Sequence, residues 1–247
     1  MSLLLRYDGV LLMKKSSLKE VKFAFINSLP VLFGFIFLGI AFGILLQKAG
    51  FNYIWAFFTS LTVYAGSLQF VLVSFLSSGT ALPVVALTTL FINSRHMFYG
   101  LSFIETFKSM GKRYPYMIFS LTDETYSVLC SLKLPDEMDG NRVRFLIALF
   151  NQSYWIIGSV LGALIGRLIP FGFDGIEFSM TALFVVILVE RWKTDGVRVP
   201  AIVGLICGII SLLALGAESF LLPALSAVVA VLLLLRPSIE GGREAER

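Results

Sequence analysis

Charged and strongly hydrogen-bonding side chains interrupt the apolar sequence at three places. The first is the stretch 93–99, Asn-Ser-Arg-His-Met-Phe-Tyr, which holds the only histidine of the chain. An arginine is always ionised and can bind a carboxylate through two parallel hydrogen bonds. We therefore predict that Arg95 binds the carboxylate of a substrate, with Asn93 and Tyr99 beside it. The alternative is a structural arginine whose head group extends to a polar surface among aromatic rings.

The second place carries two adjacent carboxyl groups, Asp123 and Glu124, directly after Thr122. Adjacent helical residues point about 100° apart, so at least one carboxyl group should face the protein interior. A carboxyl group in an apolar setting is protonated more easily. We predict that Asp123, Glu124 and His96 couple protons or bind an ammonium group, with Asp123 favoured because its short side chain can approach Arg95. The alternative is a purely structural ion pair between Asp123 and Arg95.

The third place is the run Ala65-Gly66-Ser67, which Gln69 follows. Small and polar residues let an apolar helix unwind, and the new helix N-terminus attracts carboxylates. We predict that Ser67 and Gln69 contribute to the substrate site, whereas the alternative is a groove for helix packing. We expect no metal and no cofactor, because no ligand cluster or nucleotide-binding motif occurs. The two cysteines, Cys130 and Cys207, lie in apolar stretches as small hydrophobic residues.

The elements that position these residues follow from composition. Hydrophobic residues make up 57% of the chain and charged residues 15%, against about 25% charged in globular proteins. No charge occurs in the 25 residues between Lys22 and Lys48 or in the 46 between Lys48 and Arg95, and a membrane-spanning helix needs only about 20. The sequence predicts an all-α integral membrane protein, a bundle of about 7–8 transmembrane helices. It excludes most soluble enzymes, nucleic-acid binders and disulfide scaffolds.

The charge-free windows predict the spans, some of them broken or re-entrant. They are 23–47, 53–76, 81–104, 114–133, 145–168, 174–191, 199–215 and 219–235. The window 174–191 is the weakest, because Glu177 and Glu190 leave only 12 uncharged residues between them. The spacing between the second and third spans is short enough for a tight hairpin or a re-entrant pair.

Three regions follow from these windows: a basic cytoplasmic segment 1–22, one transporter domain 23–236 and a polar tail 237–247. With eight crossings, 14 basic residues lie on the N-terminal side and five on the other, apart from Arg95, which predicts that both termini are cytoplasmic. In this eight-crossing arrangement the loop after span three would place Lys108, Lys112 and Arg113 outside the cytoplasm, against the usual charge distribution. A seven-crossing or re-entrant arrangement is therefore the alternative. We expect no cleavable signal sequence, and Met13 is an alternative candidate for the first residue.

Glycines recur at a spacing of four in two spans, Gly39 with Gly43 and Gly158 with Gly162 and Gly166. Small residues four apart let helix backbones approach in lipid, which favours helix packing. The alternative is an internal repeat, with spans one to four and five to eight as two halves.

Four motifs together resemble the AzlC-type family, the large subunit of branched-chain amino acid exporters. They are Ala65-Gly66-Ser67-Leu68-Gln69-Phe70, the Asn93-Ser94-Arg95-His96 to Tyr99 block, Thr122-Asp123-Glu124, and Thr181-Ala182-Leu183-Phe184 followed by Glu190 to Lys193. The resemblance runs from about residue 25 to 235. It implies a carrier in the plasma membrane of a bacterium or archaeon that exports valine, leucine or isoleucine with a small AzlD-like membrane subunit. The roles of the site residues come from the chemistry above.

We therefore expect a secondary active transporter for branched-chain or other small apolar amino acids, operating by proton antiport. Buried titratable residues favour coupled transport over the first alternative, a passive channel or facilitator for zwitterions. The second alternative, an intramembrane enzyme, is disfavoured because the chain has a single histidine and lacks the His-Glu-x-x-His and Gly-x-Ser-x-Gly patterns. We expect no enzyme activity and no nucleic-acid partner.

Overall fold

A computed structural model of the protein describes residues 2–168, 185, 189, 198–216 and 220–245. These residues form helices, turns and loops, and none of them lies in a β-strand. The helices are α1 (Ser2–Lys48), α2 (Tyr53–Thr62), α3 (Gly66–Ser78), α4 (Leu82–Lys108), α5 (Tyr114–Phe119), α6 (Asp123–Ser131), α7 (Gly140–Leu168), α8 (Arg198–Leu215) and α9 (Leu221–Ala245), with a 3-10 turn at Gly111–Arg113. The all-helical prediction is confirmed for this part of the chain. The predicted span 174–191 and the motif from Thr181 to Lys193 lie outside it, apart from residues 185 and 189.

The first helix is longer than its apolar window. The basic segment continues α1 back to Ser2, because lysine, glutamate and leucine are good helix formers. The helix ends at Lys48, and Gly50, two residues later, has a φ of +90°. There the Phe51 N–H bonds to the Leu46 carbonyl and the Gly50 N–H to the Gln47 carbonyl, a glycine cap typical of helix C-termini.

Helix α1 packs against α7 through their glycines. A Cβ atom added at Gly39 would lie 2.9 Å from the Ser159 backbone nitrogen, and one added at Gly158 would lie 2.8 Å from the Ile36 carbonyl oxygen. Added Cβ atoms at Gly43 and Gly162 would also overlap backbone atoms of the facing helix. The prediction that these glycines serve helix packing is therefore confirmed, and the two backbones are in contact along the seam.

Two predicted spans are each broken into two short helices. The window 53–76 becomes α2 and α3, with a break at residues 63–65 that includes Ala65, as the small residues there predict. The window 114–133 becomes α5 and α6, with a break at residues 120–122, which the sequence reasoning missed. Tyr64, in the first break, has a left-handed backbone with φ +40°. The expectation of broken helices is therefore met at these two windows.

The chain divides into two compact units. The described residues of Met1–Ser77 and Asn93–Phe171 form one unit, and those of Ser78–Ile92 and Gly172–Arg247 form the other, in which α8 packs against α9. Among the described residues, Leu18–Lys48 and Gly140–Leu168 are long and apolar enough to cross a membrane. Shorter apolar helices run over Gly66–Ser78, Val199–Leu215 and Pro223–Leu235. The number of crossings stays a prediction, as does the division into a basic segment, one transporter domain and a tail.

Candidate functional site

Arg95 connects the beginnings of two helices. Its Nη2 donates a hydrogen bond of 2.7 Å to the Oγ of Ser67, the second residue of α3. Its Nη1 lies 2.8 Å from Oδ2 of Asp123, the first residue of α6. The Arg95 side chain is 40% exposed and that of Asp123 is 17% exposed. The structure thus brings together three residues that the sequence marked separately, because each broken helix restarts beside α4.

His96 and Tyr99 flank this ion pair on α4. The His96 Nε2 lies 3.6 Å from Asp123 Oδ1, so a protonated imidazole there would stabilise the carboxylate. The Tyr99 ring stacks on that of Tyr126 of α6, with centroids 4.6 Å apart, and lies 6.1 Å from the His96 ring. Asn93 is half-buried, and its Oδ1 has no hydrogen-bond partner. These contacts give α4 one polar stretch beside the start of α6.

Gln69 has a different place from the one predicted. It is fully buried, its Nε2 donates to Ser60 Oγ at 3.3 Å, and its Oε1 accepts a hydrogen bond of 2.8 Å from Trp155 Nε1. Both ends of the amide are therefore engaged in joining α2, α3 and α7. The structure does not bring Gln69 to Arg95, so its contribution to substrate binding stays a prediction.

The two carboxyl groups lie at a helix N-terminus rather than inside a helix. Thr122 caps α6, since its Oγ1 accepts a hydrogen bond of 3.3 Å from the Thr125 N–H. Asp123 and Glu124 occupy the first turn, where the helix dipole stabilises negative charge. The sequence contained this signal, because a threonine followed by two acidic residues is typical of a helix start. Glu124 is exposed.

Two buried amides of α7, Asn151 and Gln152, are not among the site residues that the sequence predicts. Asn151 Nδ2 donates to Thr125 Oγ1 at 3.0 Å. Gln152 Nε2 donates to the Leu61 carbonyl at 3.2 Å, and Gln152 Oε1 accepts a hydrogen bond of 2.8 Å from the Tyr116 hydroxyl. Adjacent amides in an apolar helix were the available signal, since buried amides require partners. They fix both broken helices against α7.

The arrangement can exchange one carboxylate for another. Arg95 offers several donors, of which one bonds a neutral hydroxyl and one a carboxylate. An incoming carboxylate can take the place of Asp123 and leave that group to a proton or an ammonium ion. Within the described residues, no group of three or more His, Cys, Asp or Glu side chains could hold a metal ion.

Comparison with known proteins supports a family assignment. The family model for "AzlC protein" matches residues 30–169. The "Branched-chain amino acid transport protein AzlC" of Bacillus subtilis is 37% identical over 218 residues, 88% of this chain and 85% of that protein. An "Uncharacterized membrane protein" of Helicobacter pylori is 39% identical over 90% of this chain and 98% of its own length. The "Inner membrane protein YgaZ" of Escherichia coli is 28% identical over 74% of this chain and 78% of its own. No solved structure matches.

The apolar helices and these relatives define the class, a helical membrane protein with interrupted helices. The match covers more than half of the chain, and the Bacillus relative exceeds 30% identity over most of both proteins. The chain belongs to the AzlC family.

Proposed function

We propose that the protein is a secondary active transporter that exports branched-chain or other small apolar amino acids across the plasma membrane of a bacterium or archaeon. The proposal includes proton antiport, about 7–8 crossings and a small AzlD-like membrane subunit as partner. The name of the Bacillus relative, a branched-chain amino acid transport protein, supports the substrate class. Amino acid transport, rather than catalysis, is also what membership of this family favours.

The observation that carries the mechanism is the ion pair between Arg95 and Asp123 at the start of α6, with Ser67 at the start of α3 on the same guanidinium. An amino acid zwitterion carries both charges of this pair. Its carboxylate would bond Arg95 and Ser67, and its ammonium group would bond Asp123. The substrate then replaces the ion pair without leaving either charge unpaired, which avoids the cost of an uncompensated charge in an apolar surrounding.

Proton coupling follows from the same exchange. Once the substrate leaves, Asp123 either returns to Arg95 or takes up a proton. The partner of this carboxyl group therefore differs between the substrate-loaded and the empty carrier. His96 can hold a second proton beside it, because its Nε2 already faces Asp123. The exposed Glu124 is the alternative acceptor one residue along.

The test is transport in vesicles that contain the purified protein, with and without the candidate partner subunit. With an imposed pH gradient, labelled valine should accumulate against its own gradient, and it should only equilibrate when the pH gradient is absent. A variant that lacks Arg95 serves as the control for leak. A passive channel for zwitterions, the remaining alternative, would equilibrate valine under both conditions and never concentrate it.

A further inference from the structure

Aromatic side chains lie one helical turn beyond the ion pair of Arg95 and Asp123. Tyr99 follows Arg95 by four positions on α4. Tyr126 follows Asp123 by three positions on α6. Residues three or four apart share one face of a helix, and the rings of Tyr99 and Tyr126 stack with centroids 4.6 Å apart and planes at 20°. Helices α4 and α6 therefore meet in two successive layers, first the ion pair and then the tyrosine pair.

His96 lies beside both layers. Its Nε2 is 3.6 Å from Asp123 Oδ1, and its ring centroid is 6.1 Å from that of Tyr99. One imidazole is thus the neighbour of the carboxylate in the first layer and of a tyrosine ring in the second. The tyrosine pair accordingly borders the place where the charged groups of the substrate would bind in the proposed function.

Buried side chains support the tyrosine pair from behind. Phe103, one turn after Tyr99 on α4, meets the Tyr126 ring edge-on at a centroid distance of 5.8 Å. It also stacks on Phe107 at 5.2 Å, and Phe107 is 1% exposed in the hydrophobic core against which all three rings pack. Protein interiors are close-packed, so these rings cannot retreat without displacing core side chains. We call Tyr99 and Tyr126 the aromatic floor, which Phe103 holds in place.

Hydroxyl groups border the ion pair on the side of the helix breaks. The Arg95 guanidinium bonds the Ser67 hydroxyl, and Thr122, which precedes Asp123, uses its hydroxyl oxygen to cap α6. An apolar side chain is stabilised by contact with apolar surface, and covering a polar group without a hydrogen bond costs free energy. A substrate whose carboxylate and ammonium group replace the ion pair therefore directs its apolar side chain toward the aromatic floor.

The distance between the two layers suits a short, branched side chain. One helical turn is about 5.4 Å long, and non-bonded carbon atoms touch at about 3.5–4.0 Å. The first carbon atoms of the side chain therefore already contact the rings when the charged groups lie at the ion pair. Branching spreads valine, leucine or isoleucine sideways over the rings, whereas a long or aromatic side chain fits only if a ring moves.

We propose that the aromatic floor is the subsite for the apolar side chain of the amino acid, and that Tyr126 limits the length of that side chain. The inference rests on the proposed function, because it requires the charged groups of the substrate at Arg95 and Asp123. It adds Tyr126, which contacts the substrate, to the site residues that the sequence predicts. It also adds Phe103 as a positioning residue that holds the Tyr126 ring.

The experiment measures exchange of internal for external labelled valine in vesicles that contain the purified full-length protein, without a pH gradient, while leucine or phenylalanine competes. The measured quantity is the ratio of the half-inhibitory concentrations of phenylalanine and leucine, which does not depend on the amount of active protein. One methylene group in an apolar pocket changes discrimination by about 10–200-fold. The wild-type ratio should therefore be about tenfold or more, and Tyr126→Ala should lower it by about tenfold.

Three further variants complete the comparison. Tyr126→Phe keeps the ring and should keep the wild-type ratio. Tyr53→Ala is the matched control, because it removes an exposed tyrosine at the first residue of α2, and it should also keep the wild-type ratio. If Tyr126→Ala does not fold, Tyr126→Leu replaces it, since leucine fills more of the space in the core and still removes the ring.

Two results would overturn this proposal alone. A wild-type protein that exchanges valine but is inhibited equally by phenylalanine and leucine would have no limit on side-chain length. A wild-type ratio in Tyr126→Ala, or in Tyr126→Leu where the alanine variant does not fold, would place the side-chain subsite elsewhere. Absence of valine exchange in the wild type would instead refute the proposed function, and this inference with it.

Discussion

Substituting alanine for Gly162 should separate α1 from α7 and destabilise the protein. The added Cβ would overlap the Ile40 carbonyl oxygen and lie 2.6 Å from Ile40 Cα. Both atoms belong to the backbone of α1, so no side-chain rotation can relieve the contact. The same helix pair meets again at Gly39 and Gly158, which limits how far one turn can move alone.

The size of the destabilisation follows from the distance between the added Cβ and Ile40 Cα. Carbon atoms in contact are about 3.5 Å apart at least, so the backbones must separate locally by about 0.9 Å from the 2.6 Å contact. A gap of this size forfeits about a quarter to a half of each neighbouring dispersion contact. Overpacking a core costs about 1–3 kcal/mol of folding stability, and a clash of the added methyl group with a backbone belongs at the upper end. We expect a loss of about 3 kcal/mol, roughly a hundredfold in the folding equilibrium.

The assay is thermal unfolding of purified variants in one detergent. The measured quantity is the fraction of protein that remains monodisperse after heating. Gly34→Ala is the matched control on α1, because a Cβ there would meet nothing within 4 Å. It should leave stability unchanged or raise it slightly, since alanine favours a helix over glycine. Equal stability of Gly162→Ala and Gly34→Ala would refute the close contact of α1 with α7.

Three further predictions concern transport and topology. Arg95→Lys should reduce valine export by about tenfold or more at matched expression, nearly as much as Arg95→Ala. The reason is that lysine cannot bond Ser67 and a carboxylate together as the planar guanidinium does. Export near the wild-type rate in Arg95→Lys would make Arg95 an interfacial residue. Asp123→Asn should abolish uphill accumulation of valine driven by a pH gradient but retain exchange of internal for external valine. Uphill transport with an unshifted pH profile in this variant would exclude Asp123 as the proton-coupling residue. Loss of uphill accumulation in Glu124→Gln alone would assign that role to Glu124. A fluorescent reporter fused after Pro237 should be bright because the tail is predicted to be cytoplasmic, and activity only of an exported alkaline phosphatase fusion would show an odd number of crossings.

The contrast between the two broken helices shows where sequence reasoning succeeds. The first break was predicted because Ala65-Gly66-Ser67 combines small residues with a poor helix former, a purely local property. The second break, at residues 120–122, is not predicted, because the acidic pair lies at the middle of the window 114–133. Its signal was also local: Thr122 before two acidic residues is an N-cap. Weighing that cap against the length of the apolar window would have placed both carboxyl groups at a helix start.

The positions of Gln69 and Asn151 show where reasoning from the sequence alone fails. Both are polar residues in apolar helices, and the sequence does not distinguish a substrate ligand from a packing residue. Gln69 bonds Trp155, 86 positions away, and Asn151 bonds Thr125, 26 positions away. Which partner such a residue meets depends on how separate helices pack, and hydropathy along the chain contains no information about that.

The sequence by itself determined the helical membrane class, the polar residues Arg95, Asp123 and Ser67 as candidates, and the glycine seams. These features depend on properties of single positions: the free-energy cost of a charge within an apolar span, and the small size of glycine. The order of residues along the chain already specifies such properties. Only the tertiary structure decided that Arg95 bonds Ser67 and Asp123 together, and that α1 meets α7 backbone to backbone. The physical reason is that both contacts join residues far apart in sequence, so they exist only once the helices have packed and fixed the distances between them.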